Sequence, residues 1–336
     1  MSIENRPALD AAFAQALELH KRGDLPAAEA AYRRVLAADP KHADSIHMLG
    51  VLAHQCDKNA LALDLINSAI GLKASPIYYS NLSVVYLALG NKAEAEAASR
   101  HALSLDSNNI DALCNLGLAV EGQGRHKEAA GHYRRAIKLG KSTADIWRKL
   151  ATSLHCAGEI DEAISCYKQA LDLDPNDAVA LYNIGHAFQS KDRHDEAEGY
   201  LRKAIELKPD YADALLNLGI VMKEREKWTE AEALFKRALA VDPRHAGVLY
   251  NLSIAYIKMG RPTAAQKAAA DALAINPNFA EAIFALGNAY YAMGRRELAL
   301  EHYRRAFELK PNDPDNHNNM VVCIKNDPDV SGETIR

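Results

Sequence analysis

A period of 34 residues governs this chain. The stretch Ala178–Tyr211, AVALYNIGHAFQSKDRHDEAEGYLRKAIELKPDY, recurs in variant form from near one end of the sequence to near the other. Its first half sets Leu181, Ile184, Gly185 and Phe188 at helical spacing, an apolar and small-residue stripe. Its second half does the same with Ala197, Leu201 and Ala204, and Pro209 then stops the helix. Neither helix buries its stripe alone, so the unit needs neighbours, and the fold class is all-α.

Nine units follow at steps of 33 or 34 residues: 9–42, 43–75, 76–109, 110–143, 144–177, 178–211, 212–245, 246–279 and 280–313, after a lead-in over 1–8. The eighth position is always small, for example Ala16, Gly50, Ser83, Gly117 and Gly219, as two closely packed helix backbones require. The twentieth is alanine in every unit, from Ala28 to Ala299. A larger side chain there would push the pair apart. The twenty-seventh is Val35 and then eight alanines, and an aromatic holds the twenty-fourth in Tyr32, Tyr133, Tyr167, Phe235 and Tyr303. Gly23, Gly90, Gly124, Gly158, Gly260 and Gly294 fall in the turn between the helices, where a left-handed residue ends the first. Units two to four are the irregular ones: Ala74, Ser107 and Lys141 replace the terminal proline, and Ser99 replaces the aromatic. Looser packing between repeats, or a change of pitch, is expected there.

These residues identify the pattern as similar to the tetratricopeptide repeat, a helix–turn–helix unit of this length. The resemblance covers roughly nine tenths of the chain. It implies an α–α superhelix, a right-handed solenoid of about nine repeats, whose concave groove holds peptides or proteins. Residues 314–336 begin a tenth first helix, expected to cap the last repeat, and run on into the segment NDPDVSGETIR, which reads as a connector.

Composition excludes several functions. A net charge of −4 gives no electrostatic case for nucleic acid or an anionic membrane. No apolar run approaches the 18 or more residues of a membrane span, and the N-terminus has no basic start followed by an apolar stretch. Five cysteines lie scattered without a CxxC pair and read as reduced thiols, which points to the cytoplasm. No phosphate-cradling loop, HExxH or other ligand spacing is present, so no cofactor, metal or catalytic residue is expected in this chain.

The informative surface is the face of each first helix that points away from its partner. At 100° per residue, positions two, five, six, nine, twelve and thirteen lie there. Position six reads Asn81, Asn115, Asn183, Asn217 and Asn251, with Asn319 at the equivalent place in the partial tenth unit. Around this row stand Tyr182, His186, Tyr250, Asn288 and Tyr291. The row resembles the groove of O-linked N-acetylglucosamine transferase, where such asparagines hold an extended peptide by its backbone. The tail resembles the junction after the repeats in bacterial, SPINDLY-like relatives of that enzyme. Two roles stay open for the asparagines: gripping a peptide, or hydrogen-bonding the backbone of neighbouring helices. A basic clamp for a C-terminal carboxylate, as in a co-chaperone adaptor, has only Arg148 and Lys149 as paired candidates.

The expected function is a protein-interaction scaffold that binds extended segments. The resemblance adds that it selects substrates for a glycosyltransferase domain lying beyond residue 336. The alternative is an assembly scaffold that associates with itself as a homo-oligomer.

Overall fold

The computed structural model describes residues 6–311. Most of the lead-in, Asn319, Cys323 and the expected capping helix and connector lie outside the described residues. The chain divides into two compact units, Met1–Leu173 and Asp174–Arg336. In the first, α1 (Arg6–Lys21), α2 (Leu25–Ala38), α3 (Ala43–Gln55), α4 (Asn59–Leu72) and α5 (Pro76–Ala88) are followed by α6 (Lys92–Leu105), α7 (Ile110–Glu121), α8 (His126–Lys138), α9 (Ala144–Cys156) and α10 (Ile160–Leu173). In the second run α11 (Ala178–Gln189), α12 (His194–Leu207), α13 (Ala212–Glu224), α14 (Trp228–Val241), α15 (Ala246–Lys258), α16 (Pro262–Ile275), α17 (Ala280–Ala292) and α18 (Arg296–Leu309). The described residues contain no strand. Within each unit, odd-numbered helices pair with the even-numbered helix that follows, and each pair packs on the next. Each unit is therefore a solenoid of helix pairs, the all-α architecture read from the period.

Every first helix from α3 onward begins at the residue that opens its repeat. The exception is α1, which starts at Arg6, three residues before Leu9. Pro7 does not prevent this, because an amide hydrogen in the first helical turn has no intrahelical partner to lose.

The core is a strip between paired helices. All nine alanines at position twenty are fully buried, as are the eight at position twenty-seven. The small residue at position eight packs against the side chain at position twenty-four. A Cβ on Gly117 would lie 2.5 Å from the Tyr133 ring, and one on Gly287 would lie 2.6 Å from Tyr303. Unit three, which lacks the aromatic, closes this contact with polar groups. Ser83 and Ser99 are both fully buried with their hydroxyls 2.7 Å apart, and Ser83 Oγ donates to the Ala95 carbonyl at 2.9 Å.

The turn between paired helices has one backbone conformation throughout. Its fifteenth residue has positive φ in all nine repeats: the six expected glycines, and Asp57, Asp192 and Glu226 at 55–58°. A left-handed non-glycine residue is strained, least so for aspartate and asparagine, whose short side chains bond locally. Glu226 lacks that help. Glu226→Gly is expected to raise stability by about 1 kcal/mol. The check is the midpoint of chemical denaturation, and a decrease would show that the glutamate side chain stabilises the turn more than its backbone strains it.

Adjacent repeats are also tied by a glutamate at position twenty-one. Glu96 binds Arg100 on its own helix and Arg125 in the next repeat's turn, and accepts from Gln123 Nε2 at 2.8 Å. The Arg125 hydrogen bond is the main cause that holds its carboxyl below the usual range, against the opposing effect of burial. Glu198 likewise meets Arg202 at 2.8 Å and Arg225 at 2.7 Å, and Glu232 meets Lys236 at 2.7 Å and Arg261 at 3.1 Å.

Candidate functional site

The packing of positions eight, twenty and twenty-four fixes which side of each first helix is turned to its partner. Position six lies on the other side, close to the preceding repeat. Three of the row's members, Asn115, Asn217 and Asn251, are only 8–9 % exposed, while Asn81 and Asn183 are half-buried.

In the first unit the asparagines bridge repeats. Asn81 Nδ2 donates to His47 Nε2 at 2.9 Å. Asn115 Nδ2 donates to the Ser80 carbonyl at 3.0 Å and approaches Ser80 Oγ at 3.3 Å. His47 and Ser80 both hold position five of the preceding repeat. Arg148 and Lys149, the clamp candidates, are both paired with Asp145, at 2.7 and 2.6 Å. That carboxylate already neutralises part of the charge a ligand's terminus would need.

The second unit differs. Asn251 is engaged at both ends: Nδ2 donates to the Gly247 carbonyl on its own helix at 2.9 Å, and Oδ1 accepts from Lys223 Nζ at 3.3 Å. Asn217 is not. Its Nδ2 is buried without a hydrogen-bond partner among the described residues. The group facing it is the Tyr182 phenol, again at position five of the preceding repeat. Burial and the Asp213 charge raise that phenol's pKa, and the Asn217 amide partly offsets them. Nδ2 is shielded from solvent, so no ligand atom reaches it in this arrangement.

Aromatic rings surround it. Tyr182 lies parallel to His186, centroids 6.2 Å apart, and against Tyr211 at 5.0 Å. Lys208 sits over the Tyr211 ring at 5.0 Å. Tyr250 is half-buried and tilts against Phe279 at 5.4 Å. His186 and Tyr291 are exposed. Asn288, expected on the binding face, accepts from the Tyr303 hydroxyl at 2.9 Å and so joins its own helix pair.

The sequence reading missed the apolar part of this face. Leu216 and Ile220 on α13, and Ile254 and Ile257 on α15, occupy positions five, nine and twelve and are half-buried. Their spacing within each helix was the available signal. Among the described residues no helix is long and apolar enough to cross a membrane.

Family models agree with the geometry. One described as tetratricopeptide repeat matches residues 142–210, 177–244 and 210–278, and another of that description matches 13–77 and 80–145. A third, described as TPR repeat, matches 287–320. The chain is a tetratricopeptide repeat protein. Solved relatives share its fold. A tetratricopeptide repeat protein from Parabacteroides merdae is 21% identical, with a TM-score of 0.58, over 74% of this chain and 98% of that one. Pseudomonas aeruginosa pilF is 22% identical, with a TM-score of 0.57, over 65% and 98%. The Cut9–Hcn1 hetero-tetramer of the APC/C gives 15% identity and a TM-score of 0.60 over 94% and 76%. No curated protein matches the tetratricopeptide chain in sequence.

Proposed function

We propose that this tetratricopeptide protein is an interaction scaffold that binds an extended polypeptide segment along the first helices of repeats six to nine. The observation that carries this reading is the polar and aromatic face of α11, where the half-buried Asn183 and Tyr182 lie beside the exposed His186. The Asn183 amide offers a carbonyl and two N–H donors to a peptide backbone whatever the side chain attached, so recognition through it is tolerant of sequence. Tyr250, Tyr291 and the half-buried apolar residues add side-chain contacts. Supplying substrates to a glycosyltransferase domain extends this reading, and rests on the resemblance of the asparagine row and of the tail. The test uses a reduced, carboxymethylated protein that stays unfolded as the probe. Asn183→Ala is expected to weaken its binding a few-fold, one hydrogen bond contributing about 0.5–1.5 kcal/mol. The melting temperature should hold, because Asn183 is only half-buried. Undiminished affinity would sink the reading.

A second reading, self-association, is favoured by a different feature. Position thirty carries exposed large apolar residues, among them Leu105, Leu173, Leu207 and Val241, at 44–53 % exposure. Sedimentation across a concentration series separates the two: a monomer at all concentrations removes self-association.

A further inference from the structure

Where repeats two and three meet, their first helices hold a small pocket. Val51 and His54 of α3, Ile66 of α4, and Asn81, Val84 and Val85 of α5 line a cavity of about 140 Å³. The residue at position twenty-four helps shape it. In repeats one, four, five and nine the twenty-fourth residue is a tyrosine whose ring is buried in the helix pair. Its hydroxyl emerges at position nine or twelve of the first helix. Tyr32 meets His20 Nδ1 at 3.2 Å, Tyr133 meets Glu121 at 2.9 Å, Tyr167 meets Thr152 at 3.1 Å, and Tyr303 meets Asn288 at 2.9 Å. Repeat two has Ile66 instead, fully buried and too short to make that reach. His54, the counterpart of His20, bonds Asn59 Oδ1 at 2.7 Å. The pocket lies where the phenol is missing.

Its polar groups are already oriented. Gln55, also in the lining, accepts from His20 Nε2 at 2.7 Å. Asn81 donates to His47, which is buried and stacked on Tyr78 at 4.3 Å. Burial pushes the His47 pKa down to about 4, outweighing the Asp44 charge. The ring is therefore neutral at pH 7, and its Nε2 stays an acceptor. This holds the Asn81 carboxamide in one orientation, with its carbonyl oxygen left over. Beyond His54, Gln55 and Asn81 the lining is apolar, so a charged side chain would be desolvated there without an opposite charge.

We propose that this pocket takes one aliphatic side chain, of leucine or isoleucine size, from an extended peptide whose adjacent backbone N–H donates to Asn81 Oδ1. An apolar cavity of roughly 150 Å³ holds a benzene ring when closed. Here one side stays open for the peptide backbone, which leaves room for a four-carbon branch. The inference extends peptide binding to the first unit and is separate from the reading of repeats six to nine.

The test is methyl NMR of the full chain titrated with N-acetyl-leucine N-methylamide. Saturable shifts are expected at the methyls of Val51, Ile66 and Val84, with a dissociation constant on the order of 1–10 mM for so small a ligand. The glycine and aspartate analogues should bind at least about five-fold more weakly, as expected from the loss of apolar burial. Ile66→Tyr restores the residue that four other repeats carry, opposite a glycine at position eight as in repeats four and nine. It should abolish the leucine shifts at Val51 and Val84 while the chain stays folded. Val84→Phe, which fills the pocket from the other wall, serves if the tyrosine variant is unstable. Equal binding of the leucine and glycine analogues overturns the proposal, and so does leucine binding that survives a folded pocket-filling variant. If the leucine probe binds but unfolded protein does not, the scaffold reading fails and the pocket stands. If unfolded protein binds through Asn183 and the probe does not bind, only the pocket fails.

Discussion

Gly219→Val is expected to lower the stability of the second unit by about 3 kcal/mol, the top of the usual range for overpacking a core. A Cβ at Gly219 would stand 2.4 Å from Phe235 Cε1 and 2.8 Å from Cδ1. Phe235 is fully buried, so its ring has no free space to move into. Glycine within a helix ordinarily costs about 1 kcal/mol against alanine, which would make its replacement stabilising. The sign at Gly219 is set by the ring. Two companions make this decisive. Gly185→Val meets Leu201, equally buried, with Cγ at 2.8 Å, and should cost about 1–3 kcal/mol. Gly199 on α12 has nothing within 4 Å of a built Cβ, so Gly199→Ala should stabilise by about 0.5–1 kcal/mol. Denaturation followed through Trp228, at the start of α14, gives the ordering. Equal midpoints for the three variants would mean that the packing face has been misassigned.

The joint replacement of Asn183, Asn217 and Asn251 by alanine should reduce affinity for an unfolded polypeptide by far more than any single change. Each backbone hydrogen bond that is lost contributes about 0.5–1.5 kcal/mol, and the losses multiply in affinity if they act independently. The stability cost should come mainly from Asn251, whose loss leaves the Gly247 carbonyl and the Lys223 ammonium without their partner. Asn115→Ala is the contrasting control. It removes the bond to the Ser80 carbonyl and should lower stability by about 1–3 kcal/mol. It lies in the first unit and should leave binding by the second unchanged. If the triple variant melts several degrees lower and still binds its polypeptide undiminished, the asparagines of the second unit serve the stack alone.

The scaffold was legible because its requirements fall on single positions. Ala28 to Ala299 are alanine for one steric reason, repeated, and the period makes that reason visible. The turn was legible only where it used glycine. Asp57, Asp192 and Glu226 adopt the same left-handed backbone, but as residue types they announce nothing. The asparagine row was legible as a row and not as a set of contacts. Each amide takes its surroundings from position five of the preceding repeat, and that position varies: His47 accepts, Ser80 offers a carbonyl, Tyr182 leaves Asn217 without a bond. Asn288 is another such case, since its partner Tyr303 lies on the following helix and a face assignment by angle alone does not see it. The pocket beside Ile66 depends on a side chain that stops short, which only the coordinates of its neighbours reveal.

The glutamates at position twenty-one have a consequence for how a protein of this kind changes length. Glu198 receives Arg225 from repeat seven, and Glu232 receives Arg261 from repeat eight. The two joints use the same acid and the same type of base at nearly the same register. Excising residues 212–245 would bring Glu198 opposite Arg261, and the new joint would close with the chemistry of the old ones. Gain or loss of a whole repeat is therefore compatible with a sound interface at once, without compensating substitutions. The number of repeats, and with it the length of segment the protein spans, becomes a trait that recombination adjusts in steps of one unit.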